Sequence, residues 1–237
     1  MTIAVDLTSA VVGAEQDDTL TPADQIDRIA EGKLQAFAGT INLSTGLYLD
    51  DVYAQNKSVA EHTAADYHGR FLIELVQNAN DVHERGRHDG KIEVLLVEDE
   101  GDFGTLYVAN FGKPFEHDNV VALSRIGMSS KPPGESIGNK GLGFRSVSHV
   151  CDAPEIYSQA LEAIGAATFQ GYCFTFARSE DLESRIDHPT VLAFAQSDLP
   201  MFFLPIALSA QPEIIADYAV RGFSSVIRLP LRDADSL

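Results

Sequence analysis

Residues 70–85 read RFLIELVQNANDVHER, and this stretch constrains the chain more than any other. At about 100° per residue, Leu72, Leu75, Ala79 and Val82 fall on one apolar stripe. Glu74, Asn78 and Asp81 are spaced four and three apart, so they stack on a neighbouring face. The spacing predicts a helix over 70–85 with one buried side. Such a helix ordinarily fills its other side with assorted solvated charge. Here that side carries a carboxylate, an amide and a carboxylate in register. Such a set can activate a water, hold a hard cation and read a base. An ordinary amphipathic helix is the alternative.

The rest of the chain is long and apolar enough to build a core around it. Its 237 residues, 45% of them hydrophobic, suit one large domain or one and a half. The formal net charge is −18. A surface that acidic repels phosphate backbones, so no direct nucleic-acid binding is expected from this segment. The two cysteines, Cys151 and Cys173, have no metal-ligand spacing and read as buried free thiols of a reducing compartment. The N-terminus lacks the basic region of a signal peptide. No apolar run reaches the roughly 20 residues that span a bilayer. The expectation is a cytoplasmic protein with no membrane partner.

Residues 1–60 read as an N-terminal arm and a helical extension. Thr21-Pro22-Ala23-Asp24 is a helix start, with Thr21 as N-cap and Pro22 in the first helical position. Ile26, Ile29, Ala30, Leu34 and Phe37 follow at helical spacing, and Gly39 ends the run. Residues 40–56 read as a loop with a short helix. Strands are expected at 91–98 and 105–110, joined by a turn, and then at 155–158, 171–177, 190–194 and 224–231. Short helices are expected at 117–127 and 209–221. Asp102-Phe103-Gly104 spells a kinase triplet, but the other kinase segments are absent. A helical first third followed mostly by strands makes an α+β layered domain.

Two turns carry further chemistry. Residues 110–115 (NFGKPF) form a tight turn at a strand end. Residues 127–140 (GMSSKPPGESIGNK) form a long Gly-, Ser- and Pro-rich loop, a kind that is usually functional or disordered. It runs into Gly138, Gly141 and Gly143 in the order GxxGxG, where glycines let the backbone approach a ligand. This is neither a Rossmann nor a Walker A pattern.

Three elements therefore stand in fixed order: ELVQNAND, NFGKPF and IGNKGLGFRSV. Together they resemble the ATP-binding domain of the GHKL superfamily (gyrase, Hsp-ninety chaperones, histidine kinases, MutL). The resemblance is greatest to the Hsp-ninety-like branch that includes sacsin and NO VEIN-type proteins. It spans roughly residues 65–231. It implies a Bergerat-type two-layer α/β sandwich with a mixed, mostly antiparallel sheet and helices on one face. The ATP-binding domain would be 61–237, its lid about 124–140, and the chain the N-terminal part of a longer protein.

Carried over by position, the resemblance makes Glu74 the general base and Asn78 the Mg²⁺ ligand, with Asp81 a polar residue near the nucleotide. Gly138, Gly141 and Gly143, with Leu142 and Phe144 between and after them, would meet the phosphates of ATP or ADP. Lys131 and Lys140 would add charge from the lid. Ser225 would be the hydroxyl at the adenine end, and Gly112 belongs to the first glycine turn. In one place the sequence departs from the pattern. Most of the superfamily has an Asp that accepts from adenine N6 where this chain has Asn110. An amide carbonyl can still accept that bond, so base selectivity is less defined than phosphate binding. Members also commonly need a lysine or arginine from a following domain to reach the γ-phosphate.

Three functions are consistent with these residues. One is an ATPase whose lid closure reshapes a downstream domain or effector, with turnover slow without that domain. Another is a nucleotide-sensing module with little turnover. The third is a MutL- or topoisomerase-like clamp in DNA processing, which the acidic charge disfavours. A homodimer would fit the superfamily.

Overall fold

A computed structural model describes residues 19–66, 69–83, 90–125 and 142–234, the side chains of 60, 63–66 and 142 excepted. The first helix, α1 (Pro22–Ala38), starts where the sequence signals it. The Thr21 hydroxyl and the Asp24 carboxylate cap each other's turn, and Gly39 closes the helix. Two-residue strands β1 (Ile41–Asn42) and β2 (Leu47–Tyr48) follow, then α2 (Val52–Asp66) and α3 (Phe71–Asp81). β3 (Ile92–Val97) and β4 (Thr105–Asn110) form a hairpin. α4 (His117–Leu123) precedes α5 (Leu142–Arg145), which tightens into a 3₁₀ turn at Ser146–His149. The remaining elements are β5 (Glu155–Ser158), β6 (Phe174–Phe176), α6 (Pro189–Asp198), β7 (Pro205–Ala207), α7 (Glu213–Val220) and β8 (Ser225–Pro230).

Six strands make one sheet in the order β3-β4-β8-β5-β6-β7, and every neighbouring pair is antiparallel. The last strand in sequence is therefore central in space. Alternation along the strands splits the side chains between two faces. Leu106, Val108, Ile156, Phe174 and Leu229 meet Ile26 and Ile29 of α1 and Phe71 and Leu75 of α3. This is the two-layer α/β arrangement expected from the sequence. The opposite face is not bare: Tyr107, Ala109, Tyr157 and Val226 are covered by Ile215, Tyr218 and Ala219 of α7. A third cluster joins Leu34 and Phe37 of α1 to Val191 and Ala195 of α6 and to Phe203 and Leu204. Helix α1 thus belongs to two cores at once. Both cysteines are buried and free.

Several local expectations need correction. Thr190–Phe194 is not a strand but the middle of α6, which starts at Pro189. Its β-branched and aromatic residues suggested a strand, but proline at the first helical position is a helix start. Residues 40–56, expected as a loop with a short helix, hold a small hairpin and the start of a longer helix, the 15-residue α2. Strand β7, in an apolar stretch punctuated by proline, has too few residues to show a period. Among the described residues no helix is long and apolar enough to cross a membrane.

Candidate functional site

Helix α3 lies across the sheet beside β4 and packs on α5. Between α3, the sheet, α4 and the turn after β4 is a cleft of about 860 Å³, part of it open to solvent. Its described walls are mainly apolar: Leu75 and Ala79 of α3, Val82 just past its end, Val108 and Ile227 of the sheet, Leu123, Phe115 and Phe144. Among the described residues, the polar ones that interrupt them are Asn78, Asn110, Lys113, Asn119 and Ser225.

Asn78 reaches the cleft because it stands one helical turn from Leu75 and Val82. Its amide makes no hydrogen bond among the described residues. Glu74, one turn earlier, is only 8% exposed. Its carboxylate likewise has no hydrogen-bond or ion-pair partner among the described residues. It lies in the first turn of α3, where the helix dipole favours negative charge. Gly143 is pressed against it: a Cβ there would stand 2.3 Å from Glu74 Oε2. Asp81 ends the same helix, half-buried, and is not among the residues lining the cleft.

The turn after β4 is fastened at every step. Phe111 N–H donates to the Lys91 carbonyl at 3.0 Å, and Lys113 N–H to the Val82 carbonyl at 2.9 Å. Phe115 N–H donates to Ser158 Oγ at 2.8 Å. Gly112 sits directly on the α3 terminus: a Cβ there would meet the Val82 carbonyl carbon and oxygen at 2.9 Å. Asn110 closes β4 opposite Ser225, the first residue of β8. The Ser225 hydroxyl donates to Asn110 Oδ1 at 2.9 Å in a buried bond.

The far wall depends on Arg145. This residue is 5% exposed and donates to the Met201 carbonyl at 3.0 Å and to the Arg125 carbonyl. It thereby ties the end of α4 to α5 and holds Phe144 at the cleft. Burial pushes the guanidinium pKa down. The nearby Lys33 ammonium donates to the Ser124 carbonyl at 2.7 Å. Its pKa is lowered to about 8, first by burial and then by Arg145 and Arg125.

The structure thus gathers Asn78, Asn110, Ser225 and Phe144 around one cleft, with Glu74 and Gly143 in contact beside it. Gly112 supports the turn from beneath. Leu142 opens α5, and its side chain lies outside the described residues. So do Lys131, Gly138, Lys140, Gly141 and the expected lid from residue 126 onward. Sequence reasoning missed Asn119, Phe115 and Lys113 as cleft residues, although Lys113 and Phe115 were visible in the NFGKPF turn. It also missed the clamp formed by Arg145. Among the described residues no group of three or more His, Cys, Asp or Glu side chains could hold a metal ion.

No family model matches the chain. It is 30% identical over 171 residues to Protein NO VEIN of Arabidopsis thaliana, an alignment covering 70% of this chain and 5% of that protein. It is 28% identical over 177 residues to Chaperone protein HtpG of Actinobacillus succinogenes, covering 63% of this chain and 27% of that protein. The chain therefore spans about a quarter or less of the curated relatives it matches. Both names are related to the GHKL superfamily, the group that the ordered motifs resemble.

Proposed function

We propose that the chain is a Mg²⁺-dependent module that binds and hydrolyses ATP within a larger chaperone-like or defence-type protein. The observation that carries this reading is the pair Glu74 and Asn78. A carboxylate that is 8% exposed and a cleft-lining amide stand one turn apart, both without partners among the described residues. Neither is held by another described residue, so both are open to a ligand: the carboxylate can take a proton from water and the amide oxygen can meet a hard cation. The ordered motifs and the similarity to a chaperone protein support the same reading.

In this reading the base lies against the apolar walls, with Asn110 and Ser225 at its edge. Phosphates extend toward Gly143 and, by resemblance, Gly138, Gly141, Lys131 and Lys140. Glu74 accepts a proton from a water whose oxygen attacks the γ-phosphorus. The bond to the β,γ-bridging oxygen breaks, and ADP and inorganic phosphate leave. Asn78 suits a magnesium ion, which prefers hard oxygen donors and takes few of them from protein. Bound there, Mg²⁺ would neutralise phosphate charge. Lys113, the one cation among the described cleft-lining residues, is paired with Glu116 at 2.8 Å. By resemblance, turnover by the chain alone is slow, and a downstream domain brings a further cation to the γ-phosphate. The lid expected at 124–140 conveys the nucleotide state to that partner.

Glu74→Gln tests the assignment. It is expected to leave ATP affinity within about threefold and to lower turnover about 10²–10⁴-fold, the usual worth of a general base. Turnover equal to that of the wild type would remove Glu74 from the chemistry.

A further inference from the structure

One side chain at the base end of the cleft is an amide, and an amide both donates and accepts. Asn110 and Ser225 face each other across the β4–β8 ladder, at 8% and 3% exposure, and both line the cleft. The Asn110 main-chain carbonyl is taken by the Ser224 N–H at 2.8 Å. Its Oδ1 accepts from Ser225 Oγ at 2.9 Å, which leaves the two Nδ2 hydrogens for the cleft. A serine hydroxyl rotates, and it accepts as well as it donates. Turned over, the amide donates to Ser225 from Nδ2 and offers Oδ1 to the cleft. The buried pair stays bonded in both states.

The other described polar groups of the cleft do not impose one state. Asn119 Oδ1 accepts from the Glu116 N–H at 2.8 Å, and the Lys113 ammonium is held by Glu116. No carboxylate is among the described cleft-lining residues. Adenine presents a donor at N6 beside an acceptor at N1. Guanine presents an acceptor at O6 beside a donor at N1. A carboxylate facing the 6-position, which only accepts, would take adenine N6–H and repel guanine O6. An amide that can turn over takes either.

We propose that Asn110 and Ser225 form a reversible base selector, and that the cleft binds guanosine as well as adenosine triphosphate. This inference rests on the nucleotide reading above.

The test is equilibrium binding of ATP, GTP and ITP, each with Mg²⁺, to the full 237-residue chain. Wild type is expected to bind ATP and GTP within about tenfold of each other, a smaller gap than a full donor–acceptor mismatch in a buried site imposes. ITP has guanine's O6 and N1–H but no 2-amino group, and it is expected to follow GTP. Asn110→Asp should hold ATP within about threefold and weaken GTP and ITP by about tenfold or more. Wild type that binds ATP but discriminates against GTP by more than about a hundredfold overturns the selector and leaves the nucleotide site standing. An Asn110→Asp variant with an unchanged GTP-to-ATP ratio does the same. Should that variant fail to fold, the wild-type GTP and ITP affinities decide alone. Binding of neither ATP nor GTP by the folded wild-type chain overturns both readings.

Discussion

Gly143 and Glu74 are in close contact, and the fit depends on the glycine having no side chain. The glycine leaves room for a carboxylate that would otherwise be displaced by a Cβ 2.3 Å away. The atom in the way is the end of a flexible side chain, so it can move. Gly143→Ala is therefore expected to shift the Glu74 carboxylate and reduce turnover while costing little stability. Gly112 differs, because a Cβ there meets the Val82 backbone at 2.9 Å. Backbone cannot step aside cheaply, and Gly112→Ala is expected to cost about 1–3 kcal/mol. Denaturant unfolding beside an ATPase assay separates the two, and the reverse pattern would contradict the assignment. Some of this was legible beforehand. The positions of Glu74 and Asn78 on one helix face follow from spacing alone. The bond between Asn110 and Ser225 does not, because residues 115 positions apart meet only once the β4–β8 register is set. Nor could the sequence show that Arg145 is buried and held by the Met201 and Arg125 carbonyl oxygens.

Among the elements, those with a sharp start signal or a long period were readable. Helix α1 announced itself through Thr21, Pro22 and Asp24, and β4 and β8 through their apolar runs. Helix α6 was misread because TVLAF favours a strand locally, while packing of Val191 and Ala195 against α1 and Phe203 favours a helix. Tertiary contact overrode propensity. Helix α7 is joined to the edge strand β3 by charge. Arg221, just past α7, stacks on Tyr218 at 4.8 Å and on Phe223 at 5.0 Å and donates to Glu93 on β3. Lys91 approaches the same carboxylate at 3.0 Å. The Arg221 guanidinium, helped by Lys91, holds the Glu93 pKa down at about 2, against the cost of burial. A carboxylate lowered on folding adds stability that is complete above its ordinary value of about 4.5. That stability is lost as pH falls from there through about 2. The loss of stability in Glu93→Gln should thus be larger at pH 6 than at pH 3 by urea unfolding. An equal loss at both would show that the pair does not couple α7 to the sheet electrostatically.

At the scale of the molecule, the chain closes by placing its last strand in the middle of the sheet. That placement brings Ser225 to Asn110 and Ile227 to the cleft wall, so the site forms only when the fold is complete. The two-layer plan was legible because its periodicities are long. The cleft was legible only in part, since its walls come from four separate stretches of sequence. Helix α1 links the sheet core to the cluster around α6, and its Lys33 reaches the end of α4. The central claim is that this cleft holds a nucleotide with magnesium on Asn78. It is tested most directly by thermal unfolding of the chain with ATP, ADP and AMP, with and without Mg²⁺, beside Asn78→Ala. At a ligand concentration about 100 times the dissociation constant, binding adds about 2.7 kcal/mol. For a chain of this size that raises the Tm by about 5–10 °C. The account predicts such a rise with ATP or ADP that depends on Mg²⁺ and is lost in Asn78→Ala. An unchanged Tm with every nucleotide, or a rise that neither Mg²⁺ nor Asn78 affects, would contradict it.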